Sequence, residues 1–428
     1  MPGMDREASH RTHPLAEAGP DRPPGRGWRT PAVVLGAGAA LLAVSLGTRH
    51  TFGLFLGPMS REHGWTREVF AFAIALQNLV WGAAQPFAGR LADRFGAGKA
   101  IVAGSVLYVA GLVLMALSQT GPMLAVSAGL LIGLGLSGTS MPIVFGAIVR
   151  STPPERRSLA MGIAMSVGSL GQFAMLPGAL SAIEAFGSAA TLLAFAGLGV
   201  LTAPLAVALT ERPAAGASRR PPRPLRAVLS EALSHRGFWL LSLGFFVCGF
   251  HVVFIATHLP AFLIDRGLDA RTGAIVLALV GLFNIAGSWL AGFLGGRVHK
   301  PVLLVGIYGL RAVVIAAFVL APVTEGSAWL FGAAMGLLWL STVPPTNGTI
   351  ASVFGIEDMA TLGGLVFFFH QVGAFLGGWL GGRLYAMTGS YDAVWWISVG
   401  LGVLAAILNL PVREVPVARL GVVAERAT

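Results

Sequence analysis

Residues 89–99 read GRLADRFGAGK and form a short charged turn between two long apolar segments, residues 66–88 and 99–118. Four of these eleven residues are charged, in a chain whose charged fraction is 11%. A helix needs about 20 mostly apolar residues to cross a hydrocarbon core about 30 Å thick. The pattern therefore predicts two membrane-spanning helices joined by a polar turn at the membrane surface.

The same pattern recurs along the chain. Of 428 residues, 55% are hydrophobic, and the mean hydropathy is +0.75, whereas a soluble chain has about 25% charged residues. The apolar stretches lack period-2 alternation and far exceed the roughly ten residues of a barrel strand. We therefore predict an all-α membrane protein with twelve transmembrane helices, at residues 31–57, 66–88, 99–118, 122–149, 157–181, 188–210, 237–261, 272–295, 301–321, 327–353, 360–384 and 391–412.

The distribution of Lys and Arg predicts the orientation, because cytoplasmic loops carry the excess of positive charge. With the N-terminus inside, 22 of the 29 Lys and Arg residues lie in inner tails and loops, five in outer loops, and two, Arg49 and Arg311, within spans. Both termini are therefore predicted to be cytoplasmic. The net charge of +10 follows from this bias, and its spread over many short loops offers no basic face for nucleic acid.

The chain also divides into two related halves. A shift of about 203 residues places Thr139 on Thr342, Pro142 on Pro345 and Gly89 on Gly292. Parallel six-helix repeats are typical of alternating-access transporters, whose substrate site lies between the halves near the midplane. The predicted organisation is a disordered cytoplasmic tail (1–29), an N-terminal six-helix bundle (30–210), a basic cytoplasmic linker (211–236), a C-terminal six-helix bundle (237–412) and a cytoplasmic tail (413–428).

The turn at residues 89–99 resembles the G-x-x-x-D-R-x-G-x-x-[RK] signature of the major facilitator superfamily. The equivalent turn, residues 292–300, reads GFLGGRVHK and resembles the same motif with Gly296 in place of the Asp. The resemblance covers essentially the whole chain and implies the two-bundle major facilitator fold. It also implies a conformational gate on the cytoplasmic side, formed by Gly89, Asp93, Arg94, Lys99 and Arg297.

Charge alone suggests how this gate works. Asp93 can accept hydrogen bonds from the N-terminus of a neighbouring helix, where negative charge is favoured. Arg94 and Lys99 can pair with carboxylates or helix carbonyls; alternatively, these two cations only anchor the topology.

The acidic residues are informative by their positions. All nineteen Asp and Glu residues fall in predicted tails, loops or span ends. Proton pumps and cation transporters usually use buried carboxylates. The ionisable residues within the spans are instead Arg49, His50, His251, His258, Arg311 and His370. The cavity is therefore predicted to be neutral to positive, which favours an anionic substrate.

The first helix of each half supplies the leading candidates. A shift of 202 residues places Arg49 on His251. The resemblance to the superfamily implies that these two helices face one another across the cavity, so that the two side chains could bracket a carboxylate; alternatively, Arg49 bonds to backbone carbonyls or extends outward to the membrane surface. Three roles are open for His370: a substrate ligand, a proton site, or a structural histidine bonded to a carbonyl of a neighbouring helix. For Arg311 a structural pairing is favoured over contact with a ligand. Gln77, Asn78, Asn284, Thr342 and Thr346 are polar helpers that more often join helices. The predicted substrate-binding residues are Arg49, His251, His370, Gln371, Asn347, Thr139, Gln172 and Arg311.

Within the superfamily, three stretches resemble the monocarboxylate-porter and oxalate/formate-antiporter-like branches: residues 257–267, 340–347 and 370–377. This resemblance implies a small carboxylate substrate, often carried with a proton. This sequence departs from the branch on the eighth helix. Animal-type members carry an Asp-x-x-x-Arg pair there, whereas the corresponding positions here are Asn284 and Ser288, so that the charge pair is missing. Arg49 or Arg311 could take over the cationic role.

The sequence therefore predicts a secondary transporter of small organic anions, with monocarboxylates as the expected class and a proton as a candidate co-substrate. The alternatives are an exporter of hydrophobic drugs or metabolites and an anion exchanger without proton coupling. An enzyme is not expected, because the chain has no HExxH or GxSxG motif and its four intramembrane histidines have no carboxylate or thiolate companions. We expect no cofactor, no metal and no nucleic acid, and a monomer in the lipid bilayer of the plasma membrane, or of the inner membrane in a bacterium.

Overall fold

The computed structural model describes residues 28–210 and 223–417, so the predicted tails and the linker lie partly outside the described residues. Within those two ranges the chain is helical and contains no strand. The helices are α1 (Pro31–His63), α2 (Arg67–Phe95), α3 (Ala97–Ala116), α4 (Gly121–Leu124), a π-helical segment (Ala125–Leu131), α5 (Ile132–Thr139), α6 (Met141–Ser151), a 3₁₀ turn (Pro154–Arg156), α7 (Arg157–Ala208), α8 (Leu225–Ser234), α9 (Arg236–Asp265), α10 (Ala270–Leu294), α11 (Lys300–Leu320), α12 (Glu325–Leu338), α13 (Val343–Phe354), α14 (Met359–Thr388) and α15 (Asp392–Asn409).

Eleven helical stretches of the described chain are long and apolar enough to cross a membrane. One of them, Pro154–Ala208, is interrupted at Gly187, whose φ of 82° and ψ of 172° are accessible to glycine but strained for other residues. It therefore contains two spans, and the twelve predicted membrane helices are present. In the predicted linker, residues 225–234 form the short helix α8, which buries Val228 and Ala232.

The fourth and tenth spans are both broken near their middle. The fourth changes direction at Ser140, between α5 and α6, and the tenth between Leu338 and Val343. Backbone groups at a break in the bilayer must find partners inside the protein. In the fourth span Gln85 supplies them, since its Nε2 donates to the Ser137 carbonyl at 3.0 Å and its Oε1 accepts from Ser140 Oγ at 2.7 Å.

In the tenth span Arg311 fills the same role. Its Nε and Nη2 donate to the Leu338 carbonyl at 3.1 and 2.6 Å, and Nη2 also donates to the Trp339 carbonyl. The side chain is fully buried and completes the C-terminal end of α12, whose last carbonyls have no helical donor. Arg311 is thus bound to backbone inside the C-terminal half.

The halves, residues 30–210 and 237–412, meet along two helix pairs, α2 with α14 and α7 with α10. We call the side on which the described chain ends, Trp28 and Val417, lie the terminal side. Small residues allow close approach there. A Cβ at Gly89 would overlap the Ala360 carbonyl, and a Cβ at Gly162 would lie 2.6 Å from Gly292 Cα.

The contacts between the halves stop half-way along these helices. The α2–α14 interface runs from Asp93 to Asn78, and the α7–α10 interface ends where Asn284 Nδ2 donates to Ser169 Oγ at 2.8 Å. Beyond these points, no hydrogen bond joins the two halves within the described residues. The structure is therefore closed on the terminal side and open on the opposite side, with a cavity floor near the middle of the spans.

A charge cluster closes the terminal side of the α2–α14 interface. Asp93 Oδ2 accepts hydrogen bonds from Thr361 N and Oγ1, each at 2.7 Å, and Oδ1 accepts from Ala360 N at 3.3 Å and from Arg150 Nη1 at 3.2 Å. Asp93 thereby occupies the N-terminus of α14, where the helix dipole favours a negative charge.

A second carboxylate, Asp358, joins three parts of the chain. It pairs with Arg90 at 3.3 Å and with Arg223 of the linker at 3.4 Å, and Arg223 also pairs with Glu231 of α8 at 2.5 Å. Arg90 Nη2 donates in addition to the Arg223 carbonyl. We call Arg90, Asp93, Arg150, Arg223 and Asp358 the terminal-side charge cluster.

The expected partners Arg94, Lys99 and Arg297 lie elsewhere. Arg94 is exposed and stacks on its neighbour Phe95 at 5.1 Å, Arg297 stacks on Phe293 at 3.6 Å, and Lys99 is exposed. Position on the helix explains the difference: Arg90 lies one turn before Asp93 on the same face, whereas Arg94 is rotated by about 100° from it. Arg90 and Arg150, and not Arg94 and Lys99, therefore supply the cations at this interface.

We predict that Arg311→Met lowers the melting temperature of the detergent-solubilised protein by several degrees, because the carbonyls of Leu338 and Trp339 lose their donors. Hydrogen bonds to charged groups contribute about 1.5–3 kcal/mol each. Arg311→Lys should be intermediate, since an ammonium lacks the guanidinium fork. Arg413→Met, at an exposed position, is the control. An Arg311→Met protein as stable as the wild type would contradict this role.

We also predict that Asp93→Asn opens the terminal side. Removing the charge at the α14 N-terminus costs the closed arrangement about 1.5–3 kcal/mol, or roughly a 10–150-fold shift in equilibrium. Spin labels at the exposed positions Lys99 and Arg297, introduced as cysteines in a Cys248→Ser background, would report a longer distance in this variant. Asp265→Asn, exposed near the opposite end of α9, should leave the distance unchanged. Unchanged distances in Asp93→Asn would refute the prediction.

Candidate functional site

Four polar residues form a continuous chain at the floor of the cavity. Arg49 on α1 is partly exposed, and its Nη2 donates to Asn78 Oδ1 on α2 at 2.9 Å. Gln371 Nε2 on α14 approaches the Asn78 carbonyl at 3.4 Å, and Gln371 Oε1 lies 3.4 Å from His370 Nδ1. We call Arg49, Asn78, Gln371 and His370 the central cluster. It joins the two halves at the point where the α2–α14 interface ends.

Aromatic rings hold the C-terminal side of this cluster. His370 stacks on Phe367 with ring centroids 5.3 Å apart and planes 8° apart, and it contacts Phe245 at 4.8 Å. Trp81 of α2 packs against Phe367 at 4.9 Å. His370 is 8% exposed. Its imidazole is thus fixed in orientation beside Gln371, between the two halves.

The central cluster contains three of the predicted site residues: Arg49, His370 and Gln371. Asn78, predicted as a residue that joins helices, contacts α1 through its side chain and α14 through its backbone carbonyl. A polar residue in the middle of an apolar helix was the available signal. Its dual contact was not visible in sequence, because α14 reaches it from 293 residues away and the rotation of α1 against α2 is not encoded in a local pattern.

His251 lies outside this cluster. It is fully buried, and its Nε2 lies 2.8 Å from the Ser398 carbonyl of α15. The repeat explains why. Ser45 Oγ lies 3.2 Å from Thr139 Oγ1, and Cys248 Sγ lies 3.2 Å from Thr342 Oγ1, so the first helices of the halves correspond with a shift of 203 residues.

Arg49 is therefore equivalent to Val252, and His251 to Thr48, which is also buried. The 202-residue shift that paired Arg49 with His251 is one residue too short for this helix. One residue rotates a helical side chain by about 100°, which directs His251 toward α15 and away from the position of Arg49. The proposed bracketing of a carboxylate by these two side chains does not fit this geometry.

Thr139 and Arg311 also lie within single halves. Thr139 bonds to Ser45 and lines a small internal cavity of the N-terminal half with Tyr108, whose hydroxyl has no partner among the described residues. Arg311 is held by the carbonyls of the tenth span. Neither side chain contacts the central cluster.

Gln172 and Asn347 are buried and each keeps an unused polar atom. Gln172 Nε2 and Asn347 Oδ1 have no hydrogen-bond partner within the described residues. Asn347 Nδ2 donates to the Val343 carbonyl at 3.0 Å, and its Oδ1 faces Gly363 of α14. These two amides have hydrogen-bonding capacity that a small ligand or water can use.

Asn284, which stands where the resembling family has an Asp, serves a structural purpose. Its Nδ2 donates to Ser169 Oγ at 2.8 Å, and its Oδ1 accepts from Leu340 N at 3.0 Å and from Ser288 Oγ at 3.2 Å. It thus ties α10 to α7 and to the break in the tenth span. The neutral amide makes all of these contacts without a charged partner.

The electrostatics of the floor are set by Arg49. No carboxylate contacts the central cluster in the part of the chain that the structure describes. No group of three or more His, Cys, Asp or Glu with metal-binding geometry occurs there either. The arrangement offers a cation, amide groups and an imidazole, which can bind and orient an anion.

Comparisons with known proteins agree with this architecture. Residues 33–378 match the family model of the Major Facilitator Superfamily. Human "Monocarboxylate transporter 11" is 28% identical over 406 residues, covering 92% of this chain and 85% of that protein. "Uncharacterized MFS-type transporter YcxA" of Bacillus subtilis (strain 168) is 24% identical, covering 85% of this chain and 90% of that protein.

Among solved structures, the MFS transporter FucP in its outward conformation superposes with a TM-score of 0.72 at 14% identity, covering 88% of this chain and 97% of FucP. At that identity the likeness shows the fold. The matched family model spans most of the chain. The chain belongs to the Major Facilitator Superfamily and is a multi-pass membrane transporter, not an enzyme.

Proposed function

We propose that this transporter moves small organic anions, monocarboxylates in particular, by alternating access. The observation that carries the proposal is Arg49, a partly exposed cation at the cavity floor whose side-chain partner is the neutral amide of Asn78. An arginine within the membrane faces a cavity or a partner, and a guanidinium binds a carboxylate with charge-assisted hydrogen bonds.

The relatives support the substrate class. Several of them carry the name monocarboxylate transporter, at identities of 24–29%. Such identities leave the substrate of this chain open, so the name alone does not carry the proposal. The carboxylate-free floor and the cationic Arg49 point to the same class from the geometry.

In the proposed cycle, the carboxylate enters from the open side and binds Arg49, with Gln371, His370, Gln172 and Asn347 as neutral contacts. The halves then rock about the central cluster, the open side closes, and the terminal-side charge cluster separates. With cytoplasmic termini, the open state faces outward across the plasma membrane, or across the inner membrane in a bacterium. The protein acts as a monomer, since each chain contains both halves of the site.

A proton accompanies the anion in this proposal. His370 is the histidine of the central cluster, and an imidazole can accept and release a proton. His251 is bonded to the Ser398 carbonyl inside the C-terminal half and lies outside the central cluster. We therefore assign the coupled proton to His370.

Uptake into proteoliposomes tests the substrate class. We expect Arg49→Gln to lower the uptake of short monocarboxylates such as lactate or pyruvate by at least tenfold, since a charge-assisted hydrogen bond worth about 1.5–3 kcal/mol is lost. Arg49→Lys should retain part of the activity, because the charge remains. Arg383→Gln, at an exposed position, is the control for a changed net charge.

Two results would overturn the proposed function. Unchanged anion flux in Arg49→Gln would remove Arg49 from the site. Transport of hydrophobic cations or neutral drugs, with no flux of any anion tested, would identify an exporter of hydrophobic compounds instead.

A second experiment tests the proton. An inward proton gradient should drive accumulation of the monocarboxylate by the wild type, and His370→Gln should abolish accumulation while retaining exchange of internal for external anion. This variant has no group to carry the coupled proton, so the proton gradient cannot drive accumulation, whereas the anion site at Arg49 remains. His299→Gln, whose side chain is 81% exposed on the terminal side, should behave as wild type. Gradient-driven accumulation in His370→Gln would exclude His370, and exchange without accumulation in the wild type would identify an anion exchanger.

A further inference from the structure

Asn78 is in contact with both halves of the transporter through different atoms. Its side-chain Oδ1 accepts from Arg49 Nη2 at 2.9 Å, within the N-terminal half. Its backbone carbonyl faces Gln371 Nε2 of the C-terminal half at 3.4 Å. One turn further along α2, Gly82 packs on the Gln371 side chain, where a Cβ would lie 2.7 Å from Gln371 Cβ. Asn78 is thus the last residue of the α2–α14 interface and the first of the cavity floor.

The contact between Asn78 and Arg49 leaves the guanidinium available. It occupies Nη2, while Arg49 Nε is buried and has no hydrogen-bond partner within residues 28–210 and 223–417. A guanidinium presents five donors in a rigid fork that matches a carboxylate. The Phe52 ring lies 5.9 Å from the guanidinium carbon and supports the same orientation. The side chain is thus oriented by contacts that leave donors free for a ligand.

The chemical identity of residue 78 decides the charge of the floor. An amide oxygen accepts a hydrogen bond and carries no net charge, so Arg49 stays an uncompensated cation. An aspartate has nearly the same shape, and at 2.9 Å it would form an ion pair with Arg49. In a cavity of low dielectric such a pair is strong, and a substrate carboxylate would have to displace it.

We propose that Asn78 is the specificity-determining residue of this transporter: it holds Arg49 toward the cavity without neutralising it, and thereby selects anionic substrates. This inference rests on the proposed function and adds to it the residue that sets the charge preference. The contact with Gln371 ties the same residue to the C-terminal half, so the orientation of Arg49 depends on the α2–α14 interface.

The test compares a monocarboxylate with its neutral amide analogue, lactate with lactamide, in proteoliposomes. The wild type is expected to prefer lactate strongly. In Asn78→Asp the KM for lactate should rise at least tenfold, and the ratio of lactate to lactamide uptake should fall toward one, because the introduced carboxylate occupies Arg49. Gln119→Glu adds the same charge at an exposed position and should keep the wild-type ratio.

Two further variants separate selectivity from folding. Asn78→Ala removes the amide but adds no charge, so it should raise the KM for lactate while keeping the preference for lactate over lactamide. In an Arg49→Gln background, Asn78→Asp should cause no further loss of preference, because its effect acts through Arg49; a merely structural effect would add to that of Arg49→Gln. Melting temperatures identify any variant that fails to fold.

The outcomes distinguish this inference from the proposed function. If Arg49→Gln reduces lactate uptake but Asn78→Asp keeps the wild-type preference, Asn78 does not set the specificity and the proposed function stands. If the wild type shows no preference for the anion, both fail. Loss of preference in Asn78→Asp, preserved preference in Asn78→Ala and non-additivity with Arg49→Gln together support the inference.

Discussion

The structure depends on one constraint, that every backbone polar group in the hydrocarbon core must have a partner inside the protein. Unbroken helices satisfy it by themselves, and the two broken spans do not. In each half one polar side chain completes the break: Gln85 at Ser137 and Ser140, and Arg311 at Leu338 and Trp339. These side chains lie at the breaks that precede α6 and α13, and each stabilises the break within its own half.

The same constraint explains which intramembrane polar residues remain for function. Arg311, His251 and Asn284 are bonded to carbonyls, amides and hydroxyls within the helix bundles. Arg49 is bonded to a side-chain amide and remains partly exposed. A buried cation bonded to carbonyls supports the fold, whereas a partly exposed cation beside a neutral amide is available to a ligand. Both arginines lie within the membrane, and their hydrogen-bond partners and exposure show which of them supports the fold and which is available to a ligand.

The two interfaces between the halves differ in chemistry. Along α2 and α14, Asp93 and Asp358 bring charges and a helix N-terminus together. The second motif has Gly296 at the position equivalent to Asp93. Along α7 and α10, Gly162 and Gly292 pack backbone against backbone. A charge-assisted contact is strong only over a short distance, whereas glycine contacts allow sliding and close approach. The terminal side is thus held by charges and close glycine packing on the α2–α14 interface, and by glycine packing on the α7–α10 interface.

The sequence by itself determined the membrane class, the twelve spans, the internal repeat and the carboxylate-free interior. These properties depend on residue type, local run length and fixed spacing, which the chain carries without any tertiary contact. Asp93 was identifiable from its place at the end of a helix. Arg49 was identifiable because placing a charged side chain in an apolar membrane span costs free energy.

The tertiary structure decided which of these residues meet. A one-residue change in register separated His251 from Arg49, because it rotates the side chain by about 100°. Arg150 and Arg90, and not Arg94 and Lys99, supply the cations of the charge cluster. Arg150 reaches Asp93 from the end of α6, 57 residues further along the chain, and Arg90 lies on the same face of α2 as Asp93. Asn78 joined the central cluster through Arg49 of α1, 29 residues away, and Gln371 of α14, 293 residues away. Contacts between distant helices depend on packing angles and helix rotation, and neither is encoded in a local pattern.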